Sequence, residues 1–466
     1  MFAVSSFASL ALKPELLSNL ESLNYTEMTP IQAQSLPAIL AGDDVIGEGK
    51  TGSGKTAAFG LGILQHLEVK RFRIQTLILC PTRELAEQVA AEVRKLARAI
   101  HNIKVLCICG GMPFGPQIGS LEHGAHIIVG TPGRIEEHLR KGSLVLNNVK
   151  NIVLDEADRM LDMGFQETLD TILGFAPKQR QTLLFSATFP KEIESIAKRV
   201  MRSPTRIRVE SQHTSETITQ HFYKIDELDG NGEQQRLQAI QRLLCDARPT
   251  SAVIFCNTKR ETQAVADDLN ALGFSATALH GDLEQRERDQ ALVRFSNKSV
   301  SILVATDVAA RGLDIEALDA VINYQIARDS EVHTHRIGRT GRAGQKGVAS
   351  TLFSGKENFK IERLKEAHNL TVDIQPLPPA KVLAAGTYKP AMKTLQIDGG
   401  KKQKVRAGDI LGALTGKDGI DGKQVGKIQI MDNWAFVAVS AKVAKDALSK
   451  IANGKLKGRT FRVRLL

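Results

Sequence analysis

Apolar residues in this chain come in short, nearly unbroken runs, and each run ends in a small or polar cluster. Leu77-Ile78-Leu79-Cys80 leads into Pro81-Thr82-Arg83, and residues 103–109 end at Gly110-Gly111. Residues 125–129 end at Gly130-Thr131-Pro132-Gly133, 151–154 at Asp155-Glu156, and 181–185 at Ser186-Ala187-Thr188. Runs so short and so rich in Val, Ile and Leu predict strands buried on both faces, as in a parallel sheet. Between them the spacing turns helical. Leucines at 16, 17, 20 and 23 predict one helix, Thr29-Pro30 opens a second, and 83–96 reads as an amphipathic third. In such a sheet the working loops gather at the C-terminal edge of the strands.

The pattern lapses between 209 and 219, where Ser211-Gln212-His213-Thr214-Ser215-Glu216 reads as a linker. It then restarts, with strands expected at 252–255, 275–279, 301–305 and 317–324 and helices at 262–272 and 284–295. A proline-bearing connector follows from Gln375 to Pro390. Beyond it the expected order is strand 394–397, helix 407–414, strands 424–430 and 434–439, helix 441–452 and strand 460–464. That βαββαβ order is shared by ferredoxin-like and RNA-recognition folds. The expected domains are 1–210, 219–374 and 393–466, with linkers at 211–218 and 375–392. For 466 residues, three domains is an ordinary number.

Charge changes the picture for the last piece only. Of the net charge of +11, residues 391–466 hold sixteen Lys and Arg against six Asp, a surplus of ten. The rest of the chain is nearly neutral. A local positive field of this kind favours a polyanion, most often nucleic acid. No run approaches the ~18 apolar residues of a membrane-spanning helix, and the first twelve residues, without Lys or Arg, make a poor signal peptide. Five cysteines, four of them in apolar strand-like runs, point to reduced thiols and a cytoplasmic location.

Gly49-Lys50-Thr51-Gly52-Ser53-Gly54-Lys55-Thr56 fits the phosphate-binding loop G-x-x-x-x-G-K-[ST]. Its glycines let several backbone N–H groups converge on anionic oxygens, and the helix that follows adds positive potential. Lys55 is expected to reach the outer phosphates, with the Thr56 hydroxyl on Mg²⁺. Asp155-Glu156, at a strand end a hundred residues on, can hold the metal through water and orient an attacking water. Gln32 carries the donor and acceptor that an adenine edge requires.

With Asp155-Glu156-Ala157-Asp158 in place, the chain resembles the DEAD-box RNA helicases over nearly all of residues 7–344. Pro81-Thr82-Arg83-Glu84-Leu85-Ala86, Thr131-Pro132-Gly133-Arg134 and Ser186-Ala187-Thr188 match family motifs in order. So do Thr306-Asp307-Val308-Ala309-Ala310-Arg311-Gly312-Leu313-Asp314 and His335-Arg336-Ile337-Gly338-Arg339-Thr340-Gly341-Arg342. The resemblance implies an α/β protein: two tandem RecA-like parallel-sheet domains, followed here by the α+β RNA-recognition-like domain. It implies ATP and Mg²⁺ as cofactors, Phe7 and Gln32 at the base, and Gly52, Ser53, Gly54, Lys55 and Thr56 at the phosphates. Asp155 and Glu156 would serve the metal and the water, Asp314 the ribose, and Arg339 and Arg342 the γ-phosphate. Ser186 and Thr188 would couple hydrolysis to RNA. Pro81, Thr82, Arg83, Gly110, Gly111, Thr131 and Arg134 would grip the RNA backbone, together with Gly281, Asp282 and Thr306. The family usually has Pro at Met28, Gly at Asn24 and Ala at Gly49.

The tail, with Asp398-Gly399-Gly400-Lys401-Lys402-Gln403-Lys404 and Arg406, resembles that of a bacterial branch of the family that recognises a 23S ribosomal RNA hairpin. This implies a monomeric, membrane-independent helicase acting in large (50S) subunit assembly, with Lys401, Lys402, Lys404 and Arg406 on RNA. An RNA clamp or chaperone in which unwinding is incidental stays open as the alternative. Trp434 and Phe436 lie where RNA-recognition folds stack bases, yet the strand at 394–397 offers no aromatic partner. Both readings of that pair, core and base platform, stay open.

Overall fold

The structure is a computed structural model and describes residues 6–49, 52–189, 191–209, 218–226, 232–310, 318–341, 346–368, 372–416 and 419–466. The expected 211–218 linker falls almost wholly outside them. The chain forms two compact units, and the second carries both the second and the third sheet. Among the described residues no helix is long and apolar enough to cross a membrane.

The first unit is built on seven strands: β1 (Val45–Glu48), β2 (Thr76–Leu79), β3 (Val105–Ile108), β4 (Ile127–Gly130), β5 (Asn151–Asp155), β6 (Gln181–Ser186) and β7 (Thr205–Arg208). They pair in parallel in the order β3-β4-β2-β5-β6-β1-β7. Successive residues point to opposite faces, so each apolar run feeds two cores. Val45, Ile78, Val153, Leu183 and Phe185 join the helices Pro30–Ala41, Lys55–His66 and Arg83–Leu96 on one face. Ile46, Leu77, Leu79, Ile152, Leu154 and Leu184 join Pro132–Arg140, Gln166–Phe175 and Lys191–Val200 on the other. A Cβ on Gly47 would fall 2.4 Å from the ring of Phe185, its partner on β6, so the ring has room to lie there only because nothing protrudes from Gly47.

The second unit begins with β8 (Ile218–Ile225), β9 (Ala252–Cys256), β10 (Ala276–Leu279), β11 (Ile302–Thr306), β12 (Ala320–Asn323) and β13 (Gly347–Ser354). This sheet is also parallel, ordered β10-β11-β9-β12-β13-β8. The third sheet is antiparallel: β14 (Met392–Ile397), β15 (Val425–Ile430), β16 (Ala435–Ser440) and β17 (Val463–Leu465), ordered β15-β16-β14-β17. Its helices, Ala407–Thr415 and Ala444–Asn453, cover one face through Ile410, Leu414, Ala447 and Ile451. The connector before it is not loose. Leu377, Val382, Leu383 and Tyr388 pack on the core of the second sheet, Arg248 Nη1 donates to the Ala385 and Gly386 carbonyls at 3.3 Å, and Lys389 Nζ donates to the Gly273 carbonyl at 2.6 Å.

The other face of the third sheet is also covered. Thr394 is 0%, Gln396 1% and Phe436 1% exposed, although none of them points at the helices. They face the Gln285–Ser296 helix and the turn after it. Ser299 Oγ and Thr394 Oγ1 lie 2.7 Å apart, and Asn297 Nδ2 donates to Thr394 Oγ1 at 3.1 Å. Gln290 Nε2 donates to Gln396 Oε1 at 3.0 Å, Lys427 Nζ donates to Ser296 Oγ at 2.7 Å, and the Arg286 guanidinium lies 5.5 Å from the Trp434 ring. Thr394→Val keeps the shape but leaves the buried Asn297 amide without this acceptor and Ser299 Oγ with the Arg294 carbonyl alone, a loss of about 1–3 kcal/mol. Urea unfolding should show it as a lower midpoint; a midpoint equal to that of the parent would mean the hydroxyl's hydrogen bonds contribute nothing.

Candidate functional site

Three loops of the first unit meet the phosphate loop at the C-terminal edge of its sheet. Gly52 and Gly54 take the left-handed conformation, φ +85° and +96°, that lets the chain turn from β1 into the Lys55–His66 helix. A Cβ on Gly54 would stand 2.5 Å from Gln32 Nε2, and that amide donates to the Gly54 carbonyl at 3.1 Å. Gln32 Oε1 accepts the Thr29 N–H at 2.9 Å. The candidate adenine reader is thus tied to the phosphate loop by its own amide. Lys55 is buried and donates to the Gly49 carbonyl at 2.6 Å; Ser53 Oγ is buried with no hydrogen-bond partner among the described residues. Phe7, in a short 3-10 turn, is buried in the first core and has no open ring face.

β5 delivers the carboxylates. Asp155 is buried, and desolvation pushes its carboxyl up to about 7, with Glu156 and Asp158 adding to the rise and Lys55 opposing it. The Glu156 N–H donates to Asp155 Oδ1 at 3.1 Å. Glu156 itself sits at φ +50°, a left-handed conformation that strains a residue with a Cβ and recurs at working sites. A buried carboxylate whose charge Lys55 compensates only in part is a hard oxygen donor. Mg²⁺ is held in such places by one or two carboxylates and substrate phosphates, so the residues present fit it.

The sequence pattern assigned no role to Asp158, which the structure makes a junction. Its Oδ2 accepts from the Thr188 N–H at 3.2 Å and the Thr188 Oγ1–H at 3.0 Å, and its N–H donates to Ser186 Oγ at 3.4 Å. The Gly49 N–H donates to the Ser186 carbonyl at 3.0 Å. Of the two residues expected to couple hydrolysis to RNA, Ser186 is therefore bonded both to Asp158 and to the phosphate loop, and Thr188 to Asp158. Asp158 carries no sequence signal beyond its place in the motif.

Pro81, Thr82 and Arg83 follow β2, Gly110 and Gly111 follow β3, and Thr131 and Arg134 follow β4; these strands are neighbours, so their loops stand in a row. Thr82 caps its helix by accepting the Leu85 N–H, and Arg83 pairs with Glu87 at 2.8 Å. Gly110 N–H donates to Thr131 Oγ1 at 3.3 Å, which joins two of the loops directly. In the second unit Gly281 and Asp282 follow β10 and Thr306 ends the adjacent β11. Lys259 Nζ holds the Asp282 carboxylate at 2.6 Å and keeps it below its usual range. Arg339 is buried, whereas Asp314 and Arg342 lie outside the described residues. Arg336, which the sequence pattern left without a role, is a buried brace: it forks onto Asp307 at 2.6 and 2.8 Å and reaches Asn257 at 2.7 Å.

In the third domain Lys401, Lys402, Lys404 and Arg406 are all exposed around the start of the Ala407–Thr415 helix. Their loop is pinned by Lys401 and Lys402 N–H groups on the Met431 and Asp432 carbonyls at 2.8 and 2.9 Å. A Cβ on Gly400 would meet the Met431 oxygen at 2.2 Å, so the close approach requires glycine there. Phe436 is core, as one of the two readings had it. The sheet face that could have stacked bases is covered, and the exposed cations lie on the loop and helix side.

Residues 29–196 match the DEAD/DEAH box helicase family, 235–344 the helicase conserved C-terminal domain, and 394–465 the DbpA RNA binding domain. The chain is 52% identical over 464 residues to the ATP-dependent RNA helicase DbpA of Escherichia coli (strain K12), across 99% of this chain and 100% of that one. It is 41% identical over 393 residues to the DEAD-box ATP-dependent RNA helicase CshA of Geobacillus kaustophilus (strain HTA426), across 84% and 83% of the two chains. Among solved structures, S. cerevisiae Dbp5 bound to RNA and ADP BeF3 superposes with a TM-score of 0.72 at 30% identity, across 80% of this chain and 96% of that one.

The Asp155 carboxyl sets a pH dependence for the ligand-free protein. Its folded value of about 7 lies above its unfolded value of about 4. Its contribution to stability is therefore full below about pH 4 and is lost as pH rises through about 7. Asp155→Asn removes that loss. It should raise the thermal midpoint by several degrees, about 2–4 °C per kcal/mol recovered, at alkaline pH in chelator, and the gain should vanish in acid. Equal midpoints for parent and variant at alkaline pH would show that the buried charge costs nothing.

Proposed function

This chain belongs to the DEAD-box ATP-dependent RNA helicases, and from that premise we propose that its C-terminal domain directs it to a hairpin of 23S ribosomal RNA during assembly of the large ribosomal subunit. It is an RNA-stimulated ATPase that opens RNA duplexes. The first unit receives ATP: Gln32 reads the adenine edge with Phe7 behind it, and the Gly52–Ser53–Gly54 turn with Lys55 and Thr56 holds the phosphates. Thr56 and Asp155 are the groups that would hold Mg²⁺, which supplies positive charge against the phosphate oxygens. Glu156 orients the attacking water. Arg339 and Arg342 stabilise charge at the γ-phosphate, Asp314 meets the ribose, and Ser186 and Thr188 pass the state of the nucleotide to the RNA loops through Asp158.

The loops at Pro81–Arg83, Gly110-Gly111, Thr131–Arg134, Gly281-Asp282 and Thr306 hold RNA by its backbone, which carries no sequence information. Address therefore has to come from elsewhere. The observation that carries the reading is the group of four exposed cations at the Ala407–Thr415 helix, on a domain whose sheet face is covered and which holds nearly all the net charge. The resemblance of this domain to the DbpA RNA binding domain supports ribosomal RNA as its target. We further propose a monomer acting in the cytoplasm, a location that five free cysteines suit.

Replacing Lys401, Lys402, Lys404 and Arg406 by Ala should raise the concentration of hairpin-containing 23S fragment that half-saturates the ATPase by roughly tenfold or more. Preference over a scrambled RNA of equal length should disappear. Survival of that preference would locate the address elsewhere. Arg342→Ala should bind ATP and lose most hydrolysis, by about 10³-fold if it acts as other arginine fingers do; an unaltered turnover rate would remove it from the reaction.

A further inference from the structure

A buried polar cluster lies under the RNA-facing loops of the first unit, and its central residue has no part in the scheme above. Its centre is Gln117, on the Phe114–Glu122 helix, 8% exposed. Gln117 Nε2 donates to the Cys109 carbonyl at 2.9 Å, immediately before Gly110-Gly111. Gln117 Oε1 accepts from Arg134 Nη1 at 2.8 Å and lies 3.0 Å from His138 Nε2. An amide oxygen only accepts, so the proton of His138 sits on Nε2 and its Nδ1 accepts from Ser143 Oγ at 2.8 Å. Arg134 Nη1 also donates to the Met112 carbonyl at 2.8 Å, and its Nε pairs with Glu137 at 3.1 Å. Phe114 stacks on His138 at 4.1 Å and closes the cluster.

Cys109 and Met112 are the residues on either side of the glycine pair. One carbonyl is held by Gln117 and the other by Arg134, which Gln117 itself holds. Gly110 and Gly111 have no side chains with which to pack, and Gly111 stands at φ +74°. Nothing inside the pair can fix where its N–H groups point; that has to be set from outside. Arg134, for its part, spends donors inward on Met112, Gln117 and Glu137 rather than standing free in solvent.

We propose that Gln117 is a positioning residue for RNA: its amide locks the Gly110-Gly111 loop and the Thr131–Arg134 loop into one register, so that both meet the same stretch of backbone. It touches no RNA itself. This rests on the reading that the two loops hold RNA.

The test is RNA-stimulated ATPase of the full chain, with single-stranded oligouridylate as the RNA, for Gln117→Met and Gln117→Glu. Met keeps the length and removes every hydrogen bond. Glu keeps an acceptor for Arg134 and His138 and loses the donor to Cys109. Gln117→Met should raise half-saturating RNA roughly tenfold, with kcat at saturating RNA and KM for ATP within about twofold of the parent. The salt dependence of RNA affinity should flatten by about 0.7 in log–log slope for each phosphate that the loops no longer neutralise. Gln117→Glu should move the same quantities less far, and it decides the matter if Gln117→Met fails to fold. Parental half-saturation and parental salt slope in a folded variant overturn the proposal. So does a fall in kcat with no change toward RNA, which is what a merely structural role gives. Thr131→Val and Arg134→Ala separate the two levels: if neither alters RNA half-saturation, the loops do not hold RNA; if they do and the Gln117 variants do not, only the role of Gln117 fails.

Discussion

The chemistry of the first unit turns on one awkward charge. Asp155 ends a strand inside the protein, and burial alone would neutralise it. Lys55 is the cation that opposes this, and it is itself buried and hydrogen-bonded to the phosphate loop. The groups around it are closely constrained. Glu156 is bent into a left-handed conformation, Asp158 is turned away to bind Ser186 and Thr188, and Gly54 is kept bare so that Gln32 can reach the loop. Such a site costs stability when empty and is relieved by a ligand that brings cations with it, which links occupancy to the rigidity of the whole strand edge.

Much of the fold was legible in the chain because its strands are buried on both faces. β2, β5, β6 and β9 read as apolar blocks and appear within a residue or so of the expected ends. The helices at Arg83–Leu96 and Ala407–Thr415 also appear where the spacing puts them. What was not legible has a common cause. β7 is an edge strand with a single buried side chain, Ile207, and β8 is an edge strand that mixes polar and apolar residues, so neither makes a block. The connector after residue 374 reads as prolines and small residues, yet its few apolar side chains find a core.

The site divides along the same line. Candidate residues that sit in contiguous motifs were readable: the phosphate loop, Asp155-Glu156, and the clusters after β2, β3 and β4. Residues whose hydrogen bonds reach distant partners were not. Gln117 sits in mid-helix and bonds to positions 8 and 17 residues away, and Arg336 gathers Asp307, Asn257 and Asn323 from three separate segments. No local pattern records such meetings. The uneven charge located the basic domain, but only the structure distinguishes its covered sheet face from its exposed loop.

That covered face constrains how this protein can diverge. An RNA-binding domain on a free tether can be exchanged between helicases by simple recombination. Here Thr394, Gln396 and Phe436 are paired with, or buried beside, Gln290, Asn297 and Ser299 of the neighbouring domain. A transplanted domain would arrive with a polar face and no partner, and a motor that lost it would expose one. A change on one side of the seam therefore calls for a matching change on the other.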